Sequence, residues 1–336
     1  MKFRFNLNNK RQLCFMKQVL IVGFSLLLSH AYAQDSINKI AFGSCGVQFG
    51  DQFIWNNVVD ANPDIWVWLG DNIYGDTEDM EVLRRKYQQL GDNQNYQYLK
   101  ENVPVIATWD DHDYGVNDGG KHYPKRKESQ QVFLEFFEEP SNSPRWKQEG
   151  IYTSYTYGVG ESTVKVVLLD VRYHRDDRGT DGDVLGEDQW KWLEKEFRNS
   201  TAKVVLVGTG YQFVSDKHPF ETWGHFPSER ERMLKLVKET GVKGVIFISG
   251  DRHFAELSKL ERDDLPYPIY DFTSSGLTHA NNIMIEKNPH RVARFLRRNF
   301  GMFVFNWKRQ TVSLRALKLN GKVAFDREIP FSELGY

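Results

Sequence analysis

The chain has 336 residues, 44 Lys+Arg against 45 Asp+Glu, 40% hydrophobic and 14% aromatic residues. No basic block stands out, which excludes a nucleic-acid footprint, and neither an internal repeat nor a low-complexity tract is present. The length suits one large or two small domains with a sizeable core.

Residues 1–30 hold five basic residues (Lys2, Arg4, Lys10, Arg11, Lys17) and no acid, and 19–28 is a short apolar stretch. Ala31-Tyr32-Ala33 then offers a small-residue cleavage pattern ahead of Gln34. Together these predict a cleavable secretory signal over 1–33, starting at Met1 or Met16, and a single domain over 34–336 that is periplasmic or secreted. The apolar stretch is shorter than the roughly 20 residues that span a bilayer. Without residues 1–33 the chain carries 39 basic and 45 acidic residues, a formal net charge of −6, and one cysteine, Cys45. A lone thiol in an oxidising compartment has no internal disulfide partner, so burial or a metal is its expected fate.

Residues 40–42 read as the first strand and 53–59 as a short helix. Pro63 marks the turn into an apolar run, 65–69, that reads as a buried strand. Residues 80–90 and the stretch to 102 show one polar face and read as helices, followed by a strand over 103–109. Over 129–138, Val132, Phe133, Phe136 and Phe137 fall at helical spacing and are assigned to the core. Alternation over 151–159 predicts an antiparallel strand. A buried strand over 164–170, a helix over 189–199 and a strand over 203–207 follow. A helix over 228–239, with Ser228 as N-cap and Gly241 past its end, precedes a strand over 244–249. The remainder is β-rich: 268–272, 300–306, 311–318 and 323–327, with Asn320-Gly321 as a hairpin turn. Strands alternating with helices, then a β tail, predict an α/β sandwich with two central sheets.

Polar residues of one chemical kind follow these strands. Cys45 sits in Gly43-Ser44-Cys45-Gly46, and Asp71 and Tyr74 come after the 65–69 strand. Asp110, Asp111, His112 and Asp113 follow the third strand, Gln212 follows 203–207, and Asp251 and His253 follow 244–249. Open α/β sheets bind ligands beyond the carboxyl ends of their strands, so these residues are expected at one edge. Asp71 can use both oxygens to bridge two metals. A thiolate from Cys45 with a phenolate from Tyr74 favours trivalent iron over zinc, because both donate negative charge. Asp111 is a candidate ligand for a second metal, with Asn117 and Asp118 as further oxygen donors suited to calcium. His112 is the candidate proton donor to a leaving oxygen. Arg172 and Arg252 are candidate phosphate clamps. Tyr211, Trp223 and His225 are expected to form a substrate wall. The remaining histidines, His279 among them, are assigned to surface or core.

The order Phe42-Gly43-Ser44-Cys45, Gly70-Asp71-Asn72-Ile73-Tyr74, Trp109-Asp110-Asp111-His112, Leu169-Asp170-Val171-Arg172 and Gly250-Asp251-Arg252-His253, closed by Thr273-Ser274-Ser275-Gly276-Leu277-Thr278, resembles the PhoD-like alkaline phosphatase family of calcineurin-like metallophosphatases. The resemblance runs through nearly all of 34–336. It implies a four-layer α/β/β/α sandwich with two central mixed sheets. It also implies an iron site joined to calcium, and hydrolysis of phosphate mono- or diesters by metal-bound hydroxide. Carried over, Cys45, Asp71, Tyr74 and His253 would hold iron. Asp71, Asp111 and Asp251, with Asn117 or Gln212, would hold the second ion. Longer family members carry an extra N-terminal β domain. Here the first strand starts within a few residues of Gln34, so the site is expected to be more open.

The expected function is therefore a secreted phosphoesterase acting on a phosphate ester, without a nucleic-acid signature or a transmembrane segment in the mature chain. One alternative is a dedicated phosphodiesterase or phospholipase with a wide cleft around 121–127 and Trp223. Another is a non-catalytic extracellular binding protein, which predicts a broken ligand set. A thiol role for Cys45 lacks a resolving cysteine.

Overall fold

The computed structural model describes residues 37–281 and 287–336. They fall within one compact unit, Ala33–Tyr336. The expected signal segment lies outside the described residues. Among these, no helix is long and apolar enough to cross a membrane.

In chain order the regular elements are β1 (Lys39–Gly43), α1 (Ile54–Asp60), β2 (Ile65–Leu69), α2 (Met80–Gly91), α3 (Gln94–Asn102), β3 (Val105–Thr108), α4 (Asp111–Tyr114), α5 (Arg126–Phe136), β4 (Thr153–Tyr157), β5 (Val164–Leu168), α6 (Glu187–Arg198), β6 (Val204–Thr209), α7 (Pro227–Thr240), β7 (Val245–Ser249), β8 (Ala255–Leu260), β9 (Ile269–Ser274), β10 (Arg291–Phe295), β11 (Asn299–Asn306), β12 (Thr311–Lys318) and β13 (Val323–Pro330). They build a six-stranded sheet, β13-β12-β11-β1-β2-β3, and a seven-stranded sheet, β10-β8-β9-β7-β6-β5-β4. Both are mixed: β1, β2 and β3 are parallel, as are β5, β6, β7 and β9, while the outer strands pair antiparallel.

Strand alternation explains the layers. In β2, Ile65, Val67 and Leu69 point into the apolar core between the sheets, together with Val166, Leu206, Ile248 and Phe272. Trp66 and Trp68 point the other way, into a second core under α1, α2, α3 and α5. There Trp55 packs edge-on against both indoles at 5.1–5.3 Å between ring centroids. A third core lies between the other sheet and α6 and α7, built on Trp190, Leu193, Phe197, Met233 and Val237. The result is the α/β/β/α sandwich expected from the sequence, in which each helix buries one apolar stripe.

Two local expectations change. Ser228 does not cap α7: Pro227 occupies the first turn. The Ser228 amide and hydroxyl instead donate to Asp181, at 2.9 and 2.6 Å. β8 and β10 were not expected. β8 reads Ala-Glu-Leu-Ser-Lys-Leu and buries Glu256 and Ser258 completely, so its apolar pattern is broken by polar core residues. Glu256 is compensated by ion pairing with Arg291 of β10 and by the Asn288 amide at 2.6 Å.

Candidate active site

The carboxyl ends of the parallel strands from both sheets meet at one edge. The Thr108 hydroxyl at the end of β3 donates across the sandwich to the Leu169 carbonyl at 2.8 Å. The Gly250 amide after β7 donates to the Gly210 carbonyl after β6 at 2.9 Å. Gly70 permits a close approach. Its φ is +91°, and a Cβ there would stand 2.3 Å from the Asp110 Cβ.

Four residues that end these strands hold left-handed backbone: Cys45 (φ 62°), Asp71 (φ 49°), Asp251 (φ 67°) and His253 (φ 59°). Each costs about 1–3 kcal/mol for a non-glycine residue, and such strain collects at functional sites. The twist turns each side chain back over the strand ends. Cys45, Asp71 and His253 offer donor atoms within 4.8 Å of one another. So do Asp71, Asp111 and His112, and so do Asp71, Asp110 and Asp251. Asp71 is common to all three groups. The Cys45 Sγ lies 3.4 Å from Asp71 Oδ2. The Tyr74 hydroxyl lies 3.3 Å from His253 Nε2.

The site is buried and crowded with like charge. Burial, then Asp111, pushes the Asp71 carboxyl well above its ordinary value. Burial, then Asp71, does the same to the Cys45 thiol, and burial, then Cys45, to the Tyr74 phenol. Burial, then the neighbouring His279, pulls His253 down to about 3. Asp111 is the exception: burial works against its charge, but Arg172 and His112 outweigh it and hold the carboxyl low. The pattern is what a set of anionic ligands shows without its cations. The hydrogen bonding agrees. Asp71 Oδ1, Asp110 Oδ2 and Asp111 Oδ1 are buried without a hydrogen-bond partner. Native proteins rarely tolerate such atoms, at about 1–3 kcal/mol each. The donor set therefore fits at least two cations around Asp71.

Not every expected residue faces this space. Asn117 is exposed, and its neighbour Asp118 offers a donor atom close to those of Asp111 and Glu221. Gln212 is at the same edge, with its Nε2 on Thr273 Oγ1 at 2.9 Å and its Oε1 without a partner. Arg172 is fully buried, and its donors are spent on Asp110 Oδ1 (2.6 Å) and both Glu221 oxygens (2.8 and 2.6 Å). This corrects the expectation of a phosphate clamp: Arg172 is a strut that holds Asp110. Tyr211 and Trp223 are fully buried, and the Trp223 indole donates to Thr209 Oγ1 at 3.0 Å, so neither forms a substrate wall. Arg252 is 7% exposed, pairs with Asp251 and His218, and keeps its Nε without a partner.

Asp113, expected with its neighbours at this edge, turns away from it and accepts from the Asp110 and Asp71 amides. Sequence reasoning missed two residues. The Asp76 carboxylate sits 2.7 Å from His112 Nδ1. His279 reaches Tyr74 and His253, both at 3.1 Å. Only His279 left a signal in the sequence, since it directly follows the Thr273–Thr278 motif.

A family model described as PhoD-like phosphatase matches residues 40–292. A curated relative, alkaline phosphatase D of Bacillus subtilis (strain 168), is 24% identical over 258 residues, covering 63% of this chain and 44% of that protein. The chain thus spans under half the length of this relative. A solved structure of PhoD superposes with a TM-score of 0.71 at 18% identity, covering 88% of this chain and 68% of that one. The purple acid phosphatase PPD1 from yellow lupin (Lupinus luteus) seeds superposes with a TM-score of 0.63 at 14% identity, covering 89% and 54%. The structural likenesses show the shared fold, and the family match spans three-quarters of the sequence. This chain belongs to the PhoD-like phosphatase family.

Proposed function

We propose that this protein is a secreted metal-dependent phosphoesterase that hydrolyses phosphate mono- or diesters. The observation that carries the reading is the convergence of three donor groups on Asp71. The gathering of Cys45, Asp71, Asp110, Asp111, Asp251 and His253 donor atoms argues against a non-catalytic binding protein on this scaffold. Family membership supports the same chemistry. The composition of residues 1–33 supports export.

Cys45, Asp71, Tyr74 and His253 would hold an iron ion, since thiolate and phenolate together suit a trivalent metal. Asp71, Asp111 and Asp251, with Gln212, offer oxygens for a harder ion such as calcium. Bound cations supply an acidified water and shield charge on the phosphoryl oxygens.

The other roles belong to side chains. His112 is half-buried at the mouth of the site, with Asp76 on its Nδ1 at 2.7 Å. In the cation-free protein, burial alone would lower its pKa; the hydrogen bond to Asp76, then Asp71 and Asp111, override this and raise it to about 10. A protonated imidazole held by Asp76 is a proton donor for the leaving oxygen. Arg252, paired with Asp251, is the candidate contact to phosphoryl oxygens, and Arg172 keeps Asp110 in place.

Asp76→Asn tests the proton donor without touching a ligand, because Asn tolerates the φ of 43° at this position. The variant keeps its metals and loses roughly tenfold in kcat. His112 titrates lower than in the wild type by NMR. The stability effect has a defined sign. A histidine raised from about 6.5 to about 10 contributes stability that is complete below pH 6.5 and lost as pH rises through 10. Urea unfolding of the chelator-treated proteins should therefore separate variant from wild type by about 1 kcal/mol at pH 6, the pair being partly screened, and by nothing above pH 10.5. Equal stabilities at pH 6 would remove Asp76 from this role.

The reading itself is tested on purified protein with p-nitrophenyl phosphate and bis-p-nitrophenyl phosphate, with and without chelator. Chelator-sensitive turnover supports the phosphoesterase, and the ratio of the two rates selects monoester or diester. Metal-independent turnover of either compound would overturn it.

A further inference from the structure

We propose that Arg298, with Arg297 beside it, forms a subsite for a second acidic group, a carboxylate or a phosphate, on the alcohol part of the ester substrate. The proposal rests on the phosphoesterase reading above and names the substrate class that the site would prefer. Arg298 is half-buried, and its Nε donates to the Leu277 carbonyl at 3.0 Å. A guanidinium carries its N–H donors in a planar fork, so that bond leaves those on both terminal nitrogens to spend. No carboxylate among the described residues pairs with Arg298 or with the exposed Arg297. Burial therefore acts on Arg298 unopposed and pulls its pKa below the ordinary value. Arg145 and Arg315 differ, since they meet Glu139 and Asp326. A cation taken partly out of water without a counter-charge is costly, and a bound anion offsets that cost.

The fork is tied to the donor cluster through the chain that anchors it. Leu277 is followed by Thr278, whose hydroxyl donates to the Cys45 carbonyl at 3.1 Å, and by His279, whose Nε2 stands 3.1 Å from the Tyr74 hydroxyl. The arginine turn is locked to this stretch on its other side. The Asn299 amide donates to the Gly276 carbonyl at 2.8 Å, and the Ser274 hydroxyl donates to Asn299 Oδ1 at 2.7 Å. The charge of Arg298 is felt at the cluster: after burial and His112, it helps to pull the His279 imidazole below its ordinary value.

Arg297 and Arg298 line an open pocket with Ala280, Phe295 and Leu296, and Ala280 directly follows His279 in the chain. The Lys318 Nζ lies 5.7 Å from the Phe295 ring centroid. An apolar floor thus meets a cationic rim beside the candidate active site. That combination suits an organic alcohol that carries its own negative charge. Arginine adds geometry to the attraction, because its fork matches a carboxylate or a phosphate with parallel hydrogen bonds.

Three matched compounds test the subsite on the purified, metal-loaded protein: phenyl phosphate, para-carboxyphenyl phosphate and hydroquinone bisphosphate. Wild type should favour at least one of the doubly acidic compounds by about tenfold in kcat/KM per ester, mainly through KM. The preference should shrink as salt rises from roughly 0.05 to roughly 0.5 M. Which compound gains more separates carboxylate from phosphate. Arg298→Gln should abolish the preference, and Arg298→Lys, which keeps the charge without the fork, should retain part of it. Equal kcat/KM for all three compounds in the wild type would overturn the proposal and leave the phosphoesterase reading intact. A preference that survives in Arg298→Gln would overturn it too. Absence of metal-dependent turnover of all three would overturn both.

Discussion

Asp71→Asn is expected to bind at most one cation and to lose phosphoesterase activity by a factor of roughly 1000 or more, a barrier increase of about 4 kcal/mol. Asp71 is the residue that the three donor groups share. Its Oδ2 faces the Cys45 thiol at 3.4 Å, and its Oδ1 is buried without a partner. An amide keeps one oxygen and places an NH₂ where the other stood, so it cannot bridge two ions. The backbone is not the cause of the loss, since Asn accepts the left-handed φ of 49°. Cation-free Asp71→Asn is also expected to be at least as stable as the cation-free wild type. The wild-type carboxyl is raised by burial and by Asp111. Its stability contribution is complete at low pH and is lost as pH rises from the ordinary carboxylate range through the raised folded value. The variant has no such loss, so its advantage grows with pH. A thermal melt of chelator-treated protein at pH 5 and pH 8, with metal analysis, tests both halves. A less stable variant at pH 8 would mean that Asp71 serves the fold rather than the ions.

Asp113→Ala carries the opposite signature, a loss of about 3–5 kcal/mol in folding stability, comparable to breaking a buried charged network. The carboxylate accepts from the Asp110 amide at 2.7 Å and the Asp71 amide at 3.1 Å through Oδ1. Through Oδ2 it accepts from the Asn72 side chain at 2.6 Å, the Asn72 amide at 3.3 Å and the Tyr87 hydroxyl at 3.4 Å. Truncation strands these buried donors, and each costs about 1–3 kcal/mol if left unmade. It also releases the two turns that carry Asp71 and Asp111 from one another. Urea unfolding should show a large fall in midpoint, and any folded fraction should bind metal weakly. Near wild-type stability would show that the turns are held by the sheets alone.

Much of the fold was legible because its strands are apolar runs of a few residues ending in glycine or acid, as at Leu69-Gly70-Asp71 and Ser249-Gly250-Asp251. The four layers follow from strands that are apolar on both faces, which only a sheet covered on both sides can bury. β8 and β10 were hidden because Glu256 and Arg291 neutralise one another inside the structure, a pairing that no local pattern reveals. The cluster around Asp71 was legible for the same reason as the strands: Cys45, Asp71, Asp111 and Asp251 each stand just past the end of one. Arg172 was misassigned because its partner Glu221 lies 49 residues away. In Asp110-Asp111-His112-Asp113 the roles diverge because Asp111 opens a four-residue helix. The turn aims Asp111 at the site and Asp113 at backbone amides, a distinction invisible in a run of acids. His279 looked like a loop histidine, and its place depends on Thr278 reaching back to Cys45 over more than two hundred residues.

The most direct test of a cation pair organised by Asp71 is reconstitution of the chelator-stripped wild-type protein. Hydrolysis should be absent from the stripped protein and return as iron and calcium are added. It should saturate only when at least two ions are bound per chain, as counted by elemental analysis. Full turnover in the stripped protein, or saturation at a single ion, would contradict it.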